Sequence, residues 1–331
     1  MIYGLLGIVI IVLIVLLIRK HNIDLSKEYE ERHQIQSELN RLHLEREHLE
    51  DILDQRDEAI QKADKAYREA IEQYTKEYPY IRIIDNPDKV VPHAMNRGIM
   101  ASTGDVIIRL DAHAVYPTNY FSKLVEGLHQ HQADNVGAQC RTLPVNQSTT
   151  SIAIAEALAS SFGVGNAMFR IGITEDMATD TVPFGCFKRS VFENVGLYDT
   201  ELIRNQDDEL NARIINHGGK IVLLAGLEFD YYARDSYAKL FKMYYQYGLY
   251  KPLVNKKLGS PATLRQFIPP VFVMGLVLGA ILSICIPIIR LLYGVVILLY
   301  LAAGMILGIK MAKKHQSALL VLAMPFTFFI L

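Results

Sequence analysis

"GDVIIRLDAHAVYPTNY", residues 104–120, decides how the rest of the chain is read. Val106, Ile107, Ile108 and Leu110 form an apolar, largely β-branched run bounded by Gly104 and Pro117, the pattern of a short buried strand. Polar groups follow at once. Residues two apart on an extended segment share a face, so Asp111 and His113 are expected to point out together at the strand end. There a carboxylate and an imidazole could meet on one metal ion or on a metal-bound phosphate. Asp-x-His by itself is equally the composition of a solvated turn, and both readings stay open at this point.

Outward from that strand, the 331 residues are 51% hydrophobic and 21% charged, with 34 basic and 35 acidic side chains. Near-neutral balance and the lack of a Lys/Arg block with interleaved aromatics argue against a nucleic-acid partner. Three dispersed cysteines, Cys140, Cys186 and Cys285, have neither disulfide nor zinc spacing and suggest a reducing compartment. The apolar residues are unevenly spread. Residues 2–18 read as a membrane anchor ending in Arg19, Lys20 and His21, without the cleavage site of a signal peptide. Residues 267–289 and 291–309 are each long enough to span, and 317–331 reads as a further span cut short by the chain end. With Lys310, Lys313 and Lys314 marking a cytoplasmic loop, the expectation is a multi-pass protein of the cell membrane whose main domain lies in the cytoplasm.

No Gly or Pro occurs from residue 22 to 78. Steps of three and four from Leu25 to Tyr74 pick out fifteen positions, eleven of them apolar, in an otherwise charged segment. This is a heptad seam and a possible homo-oligomer contact through residues 25–74, although Arg32, Arg46 and Arg56 interrupt it; an amphipathic helix lying on another surface is the alternative. Past Pro79 the pattern becomes "YIRII" (strand), "HAMNRGIMAS" (helix), "GDVIIRL" (strand) and "NYFSKLVEGLHQH" (helix), an α/β order that predicts a parallel sheet with ligands at the carboxyl ends of strands. Farther on, "RNQDDELNARIINHGGK" (204–220) places three acids at a helix start. They are ordinary partners of the helix dipole, but beside an Asp-x-His strand end they also supply a carboxylate able to take a proton from a hydroxyl.

Four stretches in order, "IRIIDNPDKVVPHAMNRGIMASTGDVIIRLDAHAVYPTNY", "PFGCFKRSVFENVGLYD", "NQDDELNARI" and "KMYYQYGLYKP", followed by membrane spans, resemble family 2 glycosyltransferases of the GT-A fold, most of all the membrane-bound enzymes of succinoglycan-type exopolysaccharide synthesis. The likeness covers roughly residues 70–331. It implies an α/β, Rossmann-like GT-A domain over 76–265, between a 1–19 anchor with a 20–75 charged helix and transmembrane helices over 266–331. Activity would be transfer of a sugar from a nucleotide-sugar donor to a lipid-linked or polysaccharide acceptor. The resemblance assigns Asp111 and His113 to Mg2+ or Mn2+, with Asn96 and Arg109 beside Asp111 at the donor. Asp207 is implied as base, with Asp208 the alternative because Gln206 replaces the usual Glu. Gly185, Arg234, Gln246 and Tyr250 fall on the acceptor side.

One part of the family pattern is missing. Its first two strands, which carry the Pro and Asn-Glu pair and the Asp-Gly-x-Ser turn that hold nucleobase and ribose, have no counterpart where the anchor and charged helix stand. The GT-A domain is therefore expected to be partial and the chain by itself to have little or no transferase activity. A noncatalytic membrane scaffold, recruiting partners through the heptad helix, is the competing expectation.

Overall fold

The computed structural model describes residues 25–331 except Ala262, so the expected anchor over 2–18 lies outside the described residues. Two compact units divide at Ile83/Ile84. The first is dominated by α1 (Leu25–Glu77), 53 residues of continuous helix without a breaker. Tyr80 to Ile84, expected as a strand, form a turn and an irregular segment in which Ile81 N–H bonds back to Tyr78 C=O. A β-prone run forms a strand only in a ladder, and among the described residues no strand pairs with this one.

The second unit contains α2 (Val91–Ala101), β1 (Val106–Ile108), β2 (Ala114–Val115), α3 (Tyr120–Gln130), β3 (Asn135–Leu143), α4 (Thr149–Leu158), the single turns α5 (Ser161–Val164) and α6 (Met168–Ile171), β4 (Met177–Ala178), β5 (Cys186–Lys188), α7 (Arg189–Val195), α8 (Gln206–Asn216), β6 (Ile221–Tyr232), α9 (Tyr237–Leu258), α10 (Ile268–Cys285), α11 (Pro287–His315) and α12 (Leu320–Ile330). The strands form one sheet in the order β1-β5-β3-β6-β2, with β4 also on β6. Among the described strands only β3 and β6 run parallel; the other pairs are antiparallel, so the sheet is mixed rather than parallel as expected. β5 enters between β1 and β3, antiparallel to both.

Alternation along β6 sends side chains to two cores. Val222 and Leu224 join Leu124 and Leu128 of α3 on one face; Ile221 and Leu223 join Ile99 of α2, Phe192 of α7, and Leu210 and Ile214 of α8 on the other. Helices thus cover both faces, and the first six residues of β3 are all buried. Apart from its first turn and Glu156, α4 is apolar on more than one face and is buried against two neighbours. Ile152, Ala153 and Ala157 pack on Leu320, Met324 and Phe328 of α12, while Ile154, Ala155 and Leu158 meet Leu240 and Met243 of α9. This helix ties the sheet domain to the apolar C-terminal helices. By length and composition α10 and α11 can cross a membrane. With 11 residues, about 16 Å at 1.5 Å per residue, α12 is too short to do so.

Candidate active site

β1 ends at Ile108, two residues sooner than expected, and residues 111–113 form a turn closed by Ala114 N–H to Asp111 C=O at 3.3 Å. The shared-face argument for Asp111 and His113 therefore fails, since it required an extended backbone. Instead Arg109, 6% exposed, gathers the charges. Its Nε and Nη2 donate to Asp111 Oδ1 and Oδ2 at 2.9 and 3.2 Å, and its Nη1 donates to Asp207 Oδ1 at 2.5 Å. Burial works against this cation, but the two carboxylates raise its pKa above the ordinary arginine value. A carboxylate after a strand and one at a helix start thus share one guanidinium.

Asp207 lies in the first turn of α8, which begins after Asn205 in the left-handed conformation (φ 61°). Burial pushes its carboxyl up, Asp208 and Asp111 add to the rise, and Arg109 opposes it. Its side chain keeps 37% exposure, so the group sits at an opening and can meet a ligand. Its neighbours are spent otherwise: Asp208 accepts from Lys251 Nζ of α9 at 2.6 Å, and Glu209 holds Arg213 through both oxygens. Of the three acids only Asp207 faces the strand end.

His113 is exposed, its ring edge 5.6 Å from Tyr231 and 6.3 Å from Phe184 (centroid to centroid). Phe184 has φ 48°, a strained conformation for a bulky side chain, and its ring lies 5.6 Å under the Arg109 guanidinium. Sequence reasoning missed Phe184, and no local signal marks it. Gly185 accepts from Arg109 N–H at 3.1 Å, and a Cβ there would meet Asn135 Oδ1 at 2.4 Å and the Phe187 ring at 2.5 Å. Its role in the structure is close packing at the β5 start. Asn96 has both ends of its amide on the Tyr198 backbone, at 2.8 and 2.9 Å, joining α2 to the loop before α8. Gln246 accepts from Arg204 Nε at 2.9 Å. Arg234 follows β6, and Tyr250 is half-buried on α9; no described contact joins either to the Arg109 cluster.

Among the described residues no group of three or more His, Cys, Asp or Glu is arranged for a metal. Asp111 and His113 offer at most two ligands, of types Mg2+ or Mn2+ accept, and both Asp111 oxygens already rest on Arg109. These residues fit a divalent cation only as minority ligands, with phosphate and water filling the shell.

Residues 46–196 match the family described as Glycosyl transferase family 2, from within α1 rather than from near residue 70. Succinoglycan biosynthesis protein ExoA of Rhizobium meliloti (strain 1021) is 31% identical over 219 residues, 66% of this chain and 65% of that protein; the match thus spans a little under two thirds of the relative. The dolichyl N-acetyl-alpha-D-glucosaminyl phosphate 3-beta-D-2,3-diacetamido-2,3-dideoxy-beta-D-glucuronosyltransferase of Methanococcus voltae is 26% identical over 256 residues, 76% and 74% of the two chains. Among solved structures, mannosyltransferase PcManGT from Pyrobaculum calidifontis in complex with GDP-Man and Mn2+ is similar with TM-score 0.45 and 15% identity, covering 79% of this chain and 74% of its own. GalNAc-T7 with UDP, GalNAc and Mn2+ gives TM-score 0.39 and 17% identity over 51% and 36%. Both scores are too low to assign a fold.

Proposed function

We infer, from the premise that this chain carries a glycosyl transferase family 2 domain, that it serves polysaccharide or lipid-linked sugar synthesis at the cytoplasmic face of a membrane. The donor is a nucleotide sugar and the acceptor a lipid-linked or polysaccharide hydroxyl. The observation that carries the reading is the convergence of Asp111 and Asp207 on Arg109. Asp207 is the base: its oxygen takes the acceptor proton as the acceptor oxygen bonds to the sugar carbon, and the nucleoside diphosphate leaves with the electron pair of the broken C–O bond. A raised carboxyl pKa suits that task, because a more basic carboxylate accepts the proton more readily. Asp111 and His113 would hold Mg2+ or Mn2+, which when bound neutralises the leaving diphosphate.

The nucleoside side is weaker than the base side. β1 is the terminal strand of the sheet, and no described strand lies beyond it. On this reading the chain by itself transfers sugar slowly or not at all, because the strands that hold nucleobase and ribose in the family have no counterpart in its sequence. The test is the purified chain in nanodiscs with Mn2+, a panel of nucleotide sugars and a polyprenyl-linked acceptor. Sustained transfer that is lost in Asp111→Ala would overturn that expectation. If neither donor nor acceptor binds at millimolar concentration, the noncatalytic scaffold replaces the enzyme reading.

A further inference from the structure

Arg32, Arg46 and Arg56 interrupt the apolar seam of α1, and the sequence sets an acid beside each of them. In heptad terms Arg32 and Arg46 fall at a with Glu31 and Glu45 at the preceding g, and Arg56 falls at d with Asp57 at the following e. When two such helices run parallel and in register, the g position of one copy flanks the a position of the other, and e flanks d. All three arginine positions then stand beside an acid of the second copy at once. Slipping the pair by one heptad breaks the match, because one copy's Arg46 comes to stand beside Ile52 of the other.

The C-terminal half of the seam lies open to water. Ile60, Tyr67 and Tyr74, at a, are 56, 71 and 58% exposed, and Ala63 and Ala70 are exposed at d between them. Large side chains alternating with small ones suit knobs-into-holes packing against a like helix. A helix draws most of its stability from burying its apolar stripe, so 53 residues with that stripe in water are incomplete alone. Glu45 and Arg46 are both exposed. Arg41 Nε stands 3.7 Å from Glu45 Oε1, an exposed pair that contributes little, so Glu45 can turn to another cation at small cost. A lipid surface fits the stripe less well than a second copy does. A helix lying in a membrane interface keeps its cations on the polar face, whereas here the arginines occupy seam positions and would be driven into the acyl layer.

We propose that α1 pairs with α1 of a second copy of this chain as a parallel, in-register two-stranded coiled coil, in which Arg46 set against Glu45 of the second copy fixes orientation and register. The proposal stands apart from the transferase reading, since it uses no residue of the Arg109 cluster. It is tested on the full chain in detergent micelles, in a Cys285→Ser background whose other cysteines, Cys140 and Cys186, are buried. Ala63→Cys and Ala70→Cys, both at d, are each expected to form a disulfide-linked dimer under mild oxidation at least roughly ten-fold faster than Glu58→Cys at the outward f position, because the bond needs close approach of the two Cβ atoms. In a fully overlapped antiparallel pair the two copies of residue 63 would lie about 36 Å apart, since that residue stands well past Asp51, the midpoint of α1. Dimer dissociation is then measured by sedimentation equilibrium. Arg46→Glu is expected to weaken the dimer roughly ten-fold, about 1.4 kcal/mol, and Glu45→Arg combined with Arg46→Glu, which exchanges the signs, to restore it to within about three-fold. A monomeric wild type, a dimer without cross-links at 63 and 70, cross-linking at one of these two sites alone, or Glu58→Cys linking as fast as Ala63→Cys overturns the proposal. So does an Arg46→Glu chain as tightly paired as wild type, or a double variant as weak as the single one.

Discussion

The middle of the sheet and its β1 edge are built to different standards. β3 and β6, of nine and twelve residues, run side by side in parallel with helices on both faces, whereas β1 has three residues and one neighbour, β5. Arg109, which holds the two candidate catalytic carboxylates, is rooted on the weak edge, while Tyr231, Arg170 and Tyr244 cluster around the end of β6. The contrast teaches that the centre of the sheet can be rigid while the cluster gathered by Arg109 hangs on its least supported described edge.

The largest expected effect sharpens that contrast directly. Phe229, 1% exposed and ringed by Tyr116, Tyr120 and Phe184, sits in the middle; Phe229→Ala is expected to cost about 3–5 kcal/mol in urea unfolding. Ile107→Ala on the edge strand should lose only about 2 kcal/mol, at the low end for an aliphatic truncation. Equal losses would show that the edge is as firmly built as the centre.

Next comes the base. In any preparation that transfers sugar, Asp207→Asn is expected to cut kcat about a hundredfold or more with acceptor binding retained. Asp208→Asn should mainly loosen α9 by breaking the Lys251 pair, about 1 kcal/mol at these exposures, with a mild change in kcat. The reverse pattern would move the base to Asp208. For the donor edge, manganese resonance titration should show Mn2+ taken up only when a nucleoside diphosphate is added, and Asp111→Ala should abolish that uptake. Nucleotide binding unchanged in excess chelator would break the assignment.

The smallest effect concerns the joint to the apolar helices. Glu156 on α4 accepts from Lys314 and His315 at 2.7 Å, and although burial acts the other way, these two cations lower its pKa. A depressed carboxylate contributes stability that is present above its unfolded pKa of about 4.3 and disappears as pH falls through the folded value. Thermal unfolding should therefore show at most about 1 kcal/mol lost on acidification, and Glu156→Gln should flatten that slope. An unchanged slope would mean the pair adds nothing at this joint.

Local pattern was enough for much of the layout. The helices at 91–101 and 120–130, the strand at 106–108, the acidic start of α8 and the apolar C-terminal helices were legible because periodicity and breakers act within a few residues. What failed in the reading was non-local. Residues 80–84 have strand composition but join no ladder among the described residues, and the antiparallel entry of β5 makes the expected parallel sheet mixed, since pairing depends on which segments meet.

By itself, then, the sequence determined the α/β alternation, the acidic and Asp-x-His clusters and the apolar helices, all set by short-range chemistry. Only the tertiary structure decided that Arg109 joins Asp111 to a carboxylate 98 positions beyond the arginine, and that Lys251 claims Asp208 and leaves Asp207 facing the site. The reason is physical: the charge state and reach of a side chain are set by neighbours across space, and no spacing along the chain encodes which carboxylate a buried guanidinium will find.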